Sequence, residues 1–526
     1  MIDVSNAWKG NQNKALVNES FVEISLDITD PDIREDATIN DNSSIYISNT
    51  AQVIDGLDKV FTPYCTLEQN LWLLDGSRKV IPSTDYGDCG YIGNVLSDEK
   101  CLLSNSPTIT ISFTKVHLHS VPAITITWSS IFNEFATDFI VTTYNGDDVV
   151  NVKEVVGNTL VKTIVEMEIV DFDRITIEVL KWCLPNKRIR IEEIFIGMNK
   201  IYSKKELFSY EHSKVIDPIS ASLPKDEILF TIDNLDNSYN PMNPNGLSKY
   251  LMERQEVNTR YGYKLNNGQI EWIKGGSFYL FEWDSPQNGS TASFKARDLF
   301  EFLTTIYYDG VYTPEGVSLY TLAERLFEKA NLPLHRDGSV KWRIDESLKT
   351  IFTTAPLPID TLANNLQLIA NAGCCVMYQD RDGIIRIEPI KKEITDYEIT
   401  LKNSYSKPNI EMSKPLKEVV ISYYDYSEDE PTEYETIIAN EVNGETIVVV
   451  NPLITSSDRA YIVGHWMREY LRHRMTLLFN WRADPRLDAL DIIQTINYFT
   501  THSVRMTEIK YSYNGSFKGS GEGRVI

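Results

Sequence analysis

The chain carries seven histidines, and two of them, His117 and His119, stand at i, i+2 in the run FTKVHLHSV. In a strand that spacing puts both imidazoles on one face, which is half of a metal-binding set. A zinc site needs at least a third ligand, and no dedicated partner lies nearby in the sequence. Core or surface histidines are the better reading. His465 and His473 fall two helical turns apart with no His-Glu-x-x-His pattern between them, and the same discount applies. The six cysteines, Cys65, Cys89, Cys101, Cys183, Cys374 and Cys375, show no Cys-x-x-Cys spacing. Cys374 and Cys375 sit in the strand-like run GCCVMYQD, where neighbours point to opposite faces, so they suit neither one metal nor each other. All six are expected to be reduced and mostly buried.

The acidic runs DPDIREDATINDN and YSEDEPTEYE lack the spacing of a calcium loop and read as solvated loops. Carboxylate pairs for glycoside hydrolysis are rarely adjacent in sequence, and nothing nominates a pair here. There is no Gly-x-Ser-x-Gly elbow, no P-loop and no Cys-His peptidase signature. Gly275-Gly276 in IKGGSFYL precedes a strand, so it is expected to be a turn and not a phosphate cradle. The sequence therefore nominates no catalytic residue, no metal and no cofactor, and an enzyme is not expected.

A net charge of −23 argues against nucleic-acid binding through phosphate contacts, which needs an excess of Lys and Arg. Acidity gives solubility, and it also suits a wall that DNA or protein must slide past. At 526 residues the chain is too long for one core, and three or four domains are expected. Twenty-eight Tyr and nine Trp suggest β-rich packing. No apolar run approaches a membrane span, and MIDVSNAWKGNQNK has no signal-peptide core, so folding in the cytoplasm is expected.

Several elements are legible. A turn around Val4, Ala7 and Trp8 precedes the strand FVEISLDITD, with Val22, Ile24, Leu26 and Ile28 on one face. Such a strand needs a distant partner. From about Ile45 short apolar runs alternate with turns (TITISFTK, AITITWSS, DFIVTTYNGDD, ITIEVLKWCLPNKRIRIEEIFIG), the texture of an antiparallel sandwich. Trp72, Trp128 and Trp182 lie in apolar runs and are expected in its core. The stretch SLYTLAERLFEKANLP places Leu319, Leu322, Ala323, Leu326, Phe327 and Ala330 on one helical stripe, with Ser318 as N-cap and Pro333 as stop. PIDTLANNLQLIANAG predicts a second helix, with Asp360 as cap and Gly373 just beyond its end. CCVMYQ, the turn Asp380–Gly383 and IIRIEPI follow as a hairpin. From Glu393 the texture is β again, interrupted by a helix over Ser457–Arg474 whose cationic last turn suits the helix dipole.

Two stretches carry a resemblance. Asp217 to Trp283, with Ile228, Phe230 and Ile232 alternating into SYNPMNPNG and LSKYLMERQ, resembles the tail hub or tail-tip proteins of phages of Gram-positive bacteria. These are relatives of the baseplate hubs of contractile tails and injection machines. The phrase LQLIANAGCCVMYQDRDGIIRIEPI is similar to the small α/β domain of such hubs. Ile45 to Gly197 resembles a galactose-binding-like jelly roll inserted near the N-terminus. The resemblance implies a chain that is mainly β with a smaller α/β part: two hub-type β-barrels, a small α/β domain and an inserted antiparallel β-sandwich. It divides as 1–44, an N-terminal segment completing the first barrel; 45–200, the jelly-roll insertion; 201–303, the first barrel; 304–392, the α/β domain; and 393–526, the second barrel with a helix.

The function so implied is a structural virion component. A homotrimer would form a ring that adapts a six-fold tail tube to a three-fold tip or spike, with a channel-gating role. Implied partners are a second and third copy of the chain, the tail tube or distal tail protein, the tape-measure protein, the spike or tip protein, and baseplate wedge proteins if the tail contracts. DNA would pass the channel without specific binding, and the protein would reside at the tail tip or baseplate of a virion. Hubs of this kind often carry a fused hydrolase, and no room for one is expected after the terminal strand. The alternative is a carbohydrate-binding receptor-recognition protein acting through the jelly roll on a host cell-wall glycan. Exposed aromatics commonly stack on sugar rings, and Tyr64, Tyr86, Tyr91 and Tyr144 are the candidate contacts.

Overall fold

The computed structural model describes residues 1–12, 14, 17–55, 59, 61–80, 87–285, 289–335, 338–427, 431–439, 443–496 and 500–526. The chain is mostly β. Its organising element is one 13-stranded sheet. The first half runs in the order Met198–Tyr202, Ser20–Ile28, Glu256–Lys264, Ile270–Asp284, Thr291–Arg297, Lys225–Asp233 and Leu207–Val215. The path continues through Thr501–Tyr513, Phe517–Val525, Met475–Trp481 and Asn409–Met412, with Ile492–Ile496 and Ile394–Ile399 branching from Thr501–Tyr513. The two barrels expected from the sequence are thus the two halves of a single sheet.

The N-terminal strand finds its distant partners inside the first half. Ile24 lies opposite Tyr202 on one side and Thr259 on the other. Val22, Ile24, Leu26 and Ile28 are all fully buried. A slip of one residue would turn that whole apolar set to solvent, so the burial fixes the register. Both halves share one hydrophobic core: Trp8, Phe230 and Phe278 pack in the same cluster as Trp481, Tyr511 and Phe517. Gly275 and Gly276 are not in a turn, contrary to expectation. They sit inside the strand Ile270–Asp284, where the pairing with Glu256–Lys264 shifts register, a β-bulge. Gly276 has φ +151°, and a Cβ there would meet the Phe278 ring at 2.7 Å, so alternating texture alone concealed the need for glycine.

The insert is a sandwich. A five-stranded sheet, Ala37–Asp41, Thr108–His117, Phe172–Trp182, Ala136–Asn145 and Asp148–Val155, faces a smaller sheet of Glu193–Phe195, Val121–Thr127 and Lys162–Ile169. Trp128 and Trp182 are fully buried between them, edge to face at 5.9 Å. Trp72 departs from the expectation: it is 54% exposed, on a loop and not in a strand. The strand Ala37–Asp41 belongs to this sandwich, so the sandwich begins before Ile45.

The α/β part is larger than its sequence signature. Helices Leu319–Ala330 and Leu362–Ala372 pack on the strands Trp342–Ile344, Val376–Gln379 and Ile385–Glu388. Ser318 caps the first, its hydroxyl accepting the Thr321 N–H. Thr361, not Asp360, caps the second, while Asp360 accepts the Thr361 N–H at 2.7 Å. Gly373 keeps right-handed geometry, and Cys374 takes the left-handed turn at φ +56°. A Cβ on Gly373 would meet Leu348 at 2.3 Å, so close packing is what demands glycine here. The same core also takes Val419, Ile421, Ile438, Ala460, Val463 and Met467. Hence the sheet Leu416–Asp425, Thr432–Ala439 and Glu445–Val450, with helix Ser457–Leu471, packs on the α/β lobe and not within the second half-sheet. No helix among the described residues is long and apolar enough to cross a membrane.

Candidate functional site

The place where all three lobes meet is the seam between the half-sheets. Leu207–Val215 pairs antiparallel with Thr501–Tyr513, from Tyr210 opposite Tyr513 to Val215 opposite Glu508. Side chains alternate along Leu207–Val215, so Tyr210, His212 and Lys214 all point inward, and all three are fully or nearly fully buried. Polar groups so placed need partners. The Tyr210 and Tyr261 hydroxyls lie 2.7 Å apart, and His212 Nδ1 lies 2.8 Å from the Tyr261 hydroxyl. His212 Nε2 is 2.7 Å from Asp226 Oδ1. Lys214 Nζ donates to Gln379 O at 2.8 Å and stands 3.3 Å from both Asp226 Oδ2 and Asp488 Oδ1.

Arg381 closes this network from the α/β lobe. It occupies the hairpin turn Asp380–Gly383, and its guanidinium donates to Leu487 O at 2.6 Å, to Pro485 O, and to Asp488 Oδ2 at 3.2 Å. Burial opposes charge on Asp488, but Lys214 and Arg381 outweigh it and hold the carboxyl well below the usual carboxylate range. Burial likewise acts against the Lys214 charge, and Asp488 with Asp226 overcomes it, so the lysine is held above its ordinary value. Asp298 is the exception. Burial, reinforced by the neighbouring Asp226, pushes it well above the usual range. One of its oxygens accepts the Phe300 N–H at 3.1 Å, and the other has no hydrogen-bond partner among the described residues. The seam is therefore a buried ionic bolt. It positions lobes: His212, Lys214 and Arg381 are buried, and Asp488 meets Lys214 and Arg381 at the edge of the neighbouring cleft.

A cleft of about 580 Å³ opens beside the bolt, lined by Tyr378, Arg386, Lys391 and Asp491 among others. Charges on its wall are matched in pairs: Arg386 with Asp380 at 2.5 Å, Lys274 with Asp382 at 2.6 Å, and Lys391 with Glu388 at 3.3 Å. The histidines are dispersed. His117 is buried between Asp30 and Asp36, at 3.3 and 3.2 Å, whereas His119 approaches Tyr250 O at 3.4 Å, so the two do not converge. His465 packs on Tyr461 at 4.2 Å. Among the described residues no group of three or more metal-ligating side chains is found. All six cysteines are free, and burial pushes the Cys375 thiol up to about 12, far from a reactive thiolate.

Of the four tyrosines proposed as sugar contacts, the three that are described do not form one exposed set. Tyr91 is fully buried in the sandwich core, its hydroxyl donating to Ser43 O at 2.7 Å, so no ring face is open. Its position in a strand paired on a core face explains the burial. Tyr64 is also buried, at 3% exposure. Tyr144 is half-buried, with the Arg174 guanidinium covering its ring at 4.4 Å. Tyr86 lies outside the described residues. Elsewhere in the insert Trp72 is exposed, and Arg78 and Arg190 both lie over the Phe132 ring. None of these stood out in sequence, because Trp72 sits in an apolar run and the arginines lie far apart along the chain.

Neither the family models nor the curated proteins give a match. Among solved structures, the neighbours include phage tail and baseplate proteins. The 43 kDa tail protein of prophage MuSo2 from Shewanella oneidensis is 14% identical over 62% of this chain and 95% of that one, with a TM-score of 0.44. Prophage tail protein gp18 from Listeria monocytogenes EGD-e is 10% identical over 62% of this chain and 91% of that one, with a TM-score of 0.40. The family 32 CBM from C. perfringens NanJ, solved in complex with galactose, is similar to the insert. It is 14% identical over 34% of this chain and 99% of that one, with a TM-score of 0.21.

Proposed function

We propose that this chain is a structural tail component of a phage or phage-tail-like particle, acting as the hub at the tail tip or baseplate. The observation that carries the reading is the seam. One chain supplies two half-sheets side by side, joined strand to strand and bolted by buried charge from a third lobe. Three such chains in a ring would present six similar units around an axis, which fits a six-fold tube above and a three-fold tip below. Closing the sheet edges against neighbouring copies would also protect strands such as Asn409–Met412, exposed along its whole length. In this reading the partners are two further copies, the tube or distal tail protein, the tape-measure protein and the spike, with wedge proteins in a contractile tail. The role is mechanical: a plug and adaptor that gates the channel when the tip meets a cell. Immunogold labelling of purified particles with antibodies to the insert tests it. Label at the tail tip is expected; label on the capsid or none on particles overturns it.

A second reading concerns the insert alone. Its loop end exposes Trp72 on a well-anchored loop, where Lys187 Nζ donates to Gln69 O at 2.6 Å. This supports binding of a host glycan by the insert within the same particle.

A further inference from the structure

The long sheet ends differently at its two edges. At one end Met198–Tyr202 is backed by the insert: the Thr125 hydroxyl donates to Gly197 O at 3.0 Å, and Ala123 joins the sheet's own core. At the other end Asn409–Met412 pairs on one side only, with Ile410 opposite Leu477 and Met412 opposite Met475. Residues directly opposite in a ladder share a face. Leu477 is buried in the core, and Met475 packs against that core. Ile410 and Met412 therefore extend the core face, yet they are 61% and 59% exposed. A bare edge with apolar side chains on its core face is a template for one more strand.

The chain itself carries a strand that fits. Glu445–Val450 is an edge of the sheet packed on the α/β lobe. Ile447 and Val449 turn toward the core of that lobe, so Val448 and Val450 turn away, and both are exposed. Each edge thus offers two exposed apolar residues at i, i+2. The other edges fit less well. Thr432–Ala439 has Ile437 alone as a large apolar residue on its outward face, because Ile438 turns into the core. Asp148–Val155 leans on Lys162–Ile169, with the Asn151 amide donating to Glu168 O at 2.9 Å. Charge then sets the direction. Lys414, two residues past Met412, and Arg474, whose Nε donates to Ser413 O at 2.9 Å, have no acid partner among the described residues. Glu445 has no cationic partner among them either, and beside it the Thr446 hydroxyl donates to Glu418 at 2.7 Å. Antiparallel pairing with Met412 opposite Val448 and Ile410 opposite Val450 puts Lys414 opposite Thr446, at the acidic end. Parallel pairing, with Ile410 opposite Val448, sends Lys414 to Pro452 and away from both acids.

We propose that Asn409–Met412 of one copy pairs antiparallel with Glu445–Val450 of a second copy of this chain, Met412 opposite Val448. The inference rests on the hub reading above and names the strand that each neighbour supplies. The contact joins two different surfaces, so it repeats around a ring. A ladder this short is a small interface, and a covalent trap reads it better than an affinity does. The test mixes two full-length variants, each with one substitution, oxidises them and separates the products on a non-reducing gel. Met412→Cys with Val448→Cys, and Ile410→Cys with Val450→Cys, are expected to give a 1:1 disulfide dimer. Ile410→Cys with Val448→Cys, and Met412→Cys with Val450→Cys, should give at least tenfold less, because diagonal neighbours lie beyond disulfide reach. The unsubstituted chain and each variant alone set the background from the native cysteines. Lys414→Glu on the Met412→Cys chain should cut the yield at least threefold, and Glu418→Lys on the Val448→Cys chain should restore it. Cross-links in the parallel set, or yields no higher than background at any concentration, overturn the inference. Trimers seen by light scattering without these links leave the hub reading standing and overturn the strand pairing alone. A double variant, Met412→Cys with Val448→Cys on one chain, carries both edges. A covalent ladder from it that ends at any number other than three keeps the pairing and overturns the three-fold ring.

Discussion

Replacing Arg381 by methionine should release the α/β hairpin from the seam without unfolding either half-sheet. Methionine keeps a long unbranched side chain and removes the charge. It removes the Arg381 donor from the Pro485 carbonyl, while Leu487 O keeps the Tyr511 hydroxyl at 2.6 Å and Asp488 Oδ2 keeps Lys214 Nζ at 3.4 Å. An orphaned buried acceptor costs about 1–3 kcal/mol, and breaking a buried ion pair from one side costs roughly 3–5 kcal/mol. Asp488 is not stranded, because Lys214 remains 3.3 Å away, so about 3 kcal/mol is the working figure, from the low end of that range. A chain of several lobes does not unfold in one step, and a global melt would blur the effect. Amide hydrogen exchange over residues 376–388 and 485–490 reads it directly. At about 1.4 kcal/mol per tenfold, opening should become on the order of a hundredfold more frequent. Arg386→Met is the control: its partner Asp380 lies on the same hairpin, so exchange at 485–490 should stay unchanged. A change of less than about threefold (under ~0.7 kcal/mol) in the Arg381 variant would refute the bolt. The Asp488 carboxyl is held low in the fold, so its contribution is complete above the unfolded carboxylate pKa. It is lost only as pH falls through the depressed folded value, below the ordinary carboxylate range. The bolt should therefore survive mild acid.

Asp298→Asn should raise the apparent melting temperature at pH 8 and not at pH 4. The folded carboxyl is held high by burial and Asp226, so the wild type loses stability as pH rises above about 3.9, while asparagine keeps the cap to Phe300. Gly276→Ala should destabilise by roughly 1–3 kcal/mol, because its φ is left-handed and the added carbon meets the Phe278 ring; urea denaturation followed by far-UV circular dichroism reads this. Trp8→Ala should cost about 3–5 kcal/mol and loosen both half-sheets together in hydrogen exchange, since Trp8 sits in their shared core and donates to Asp484 at 3.1 Å. Trp72→Ala, by contrast, should leave melting unchanged within about 0.5 kcal/mol, as expected for a side chain 54% exposed.

Local signals were readable wherever the cause is local. The alternation Val22, Ile24, Leu26, Ile28 appears in the fold as a fully buried strand face, and Ser318 caps its helix as the spacing predicts. The strand's actual partners, Met198–Tyr202 and Glu256–Lys264, depend on a chain that leaves for the whole insert and returns. The bolt was invisible for the same reason. Lys214, Asp226, Arg381 and Asp488 come from three lobes, and none carries a local pattern. Charge in sequence reads as surface, and only the meeting of lobes turns it inward. Aromatics misled in both directions: Tyr91 faces the core and Trp72 faces water, because exposure follows strand register in one case and loop path in the other. A helix over Ser457–Arg474 with a cationic last turn is expected from the sequence, but the docking of helix Ser457–Leu471 on the α/β lobe follows from long-range packing that a local stretch does not encode.

The most direct test of the hub reading is an electron cryo-microscopy reconstruction of intact particles carrying this chain. Three copies around the tail axis at the tip are expected, with the two half-sheets of each copy alternating in one closed ring and the inserts projecting outward. Copies lying off the axis, or a ring in any other number, would contradict the hub reading.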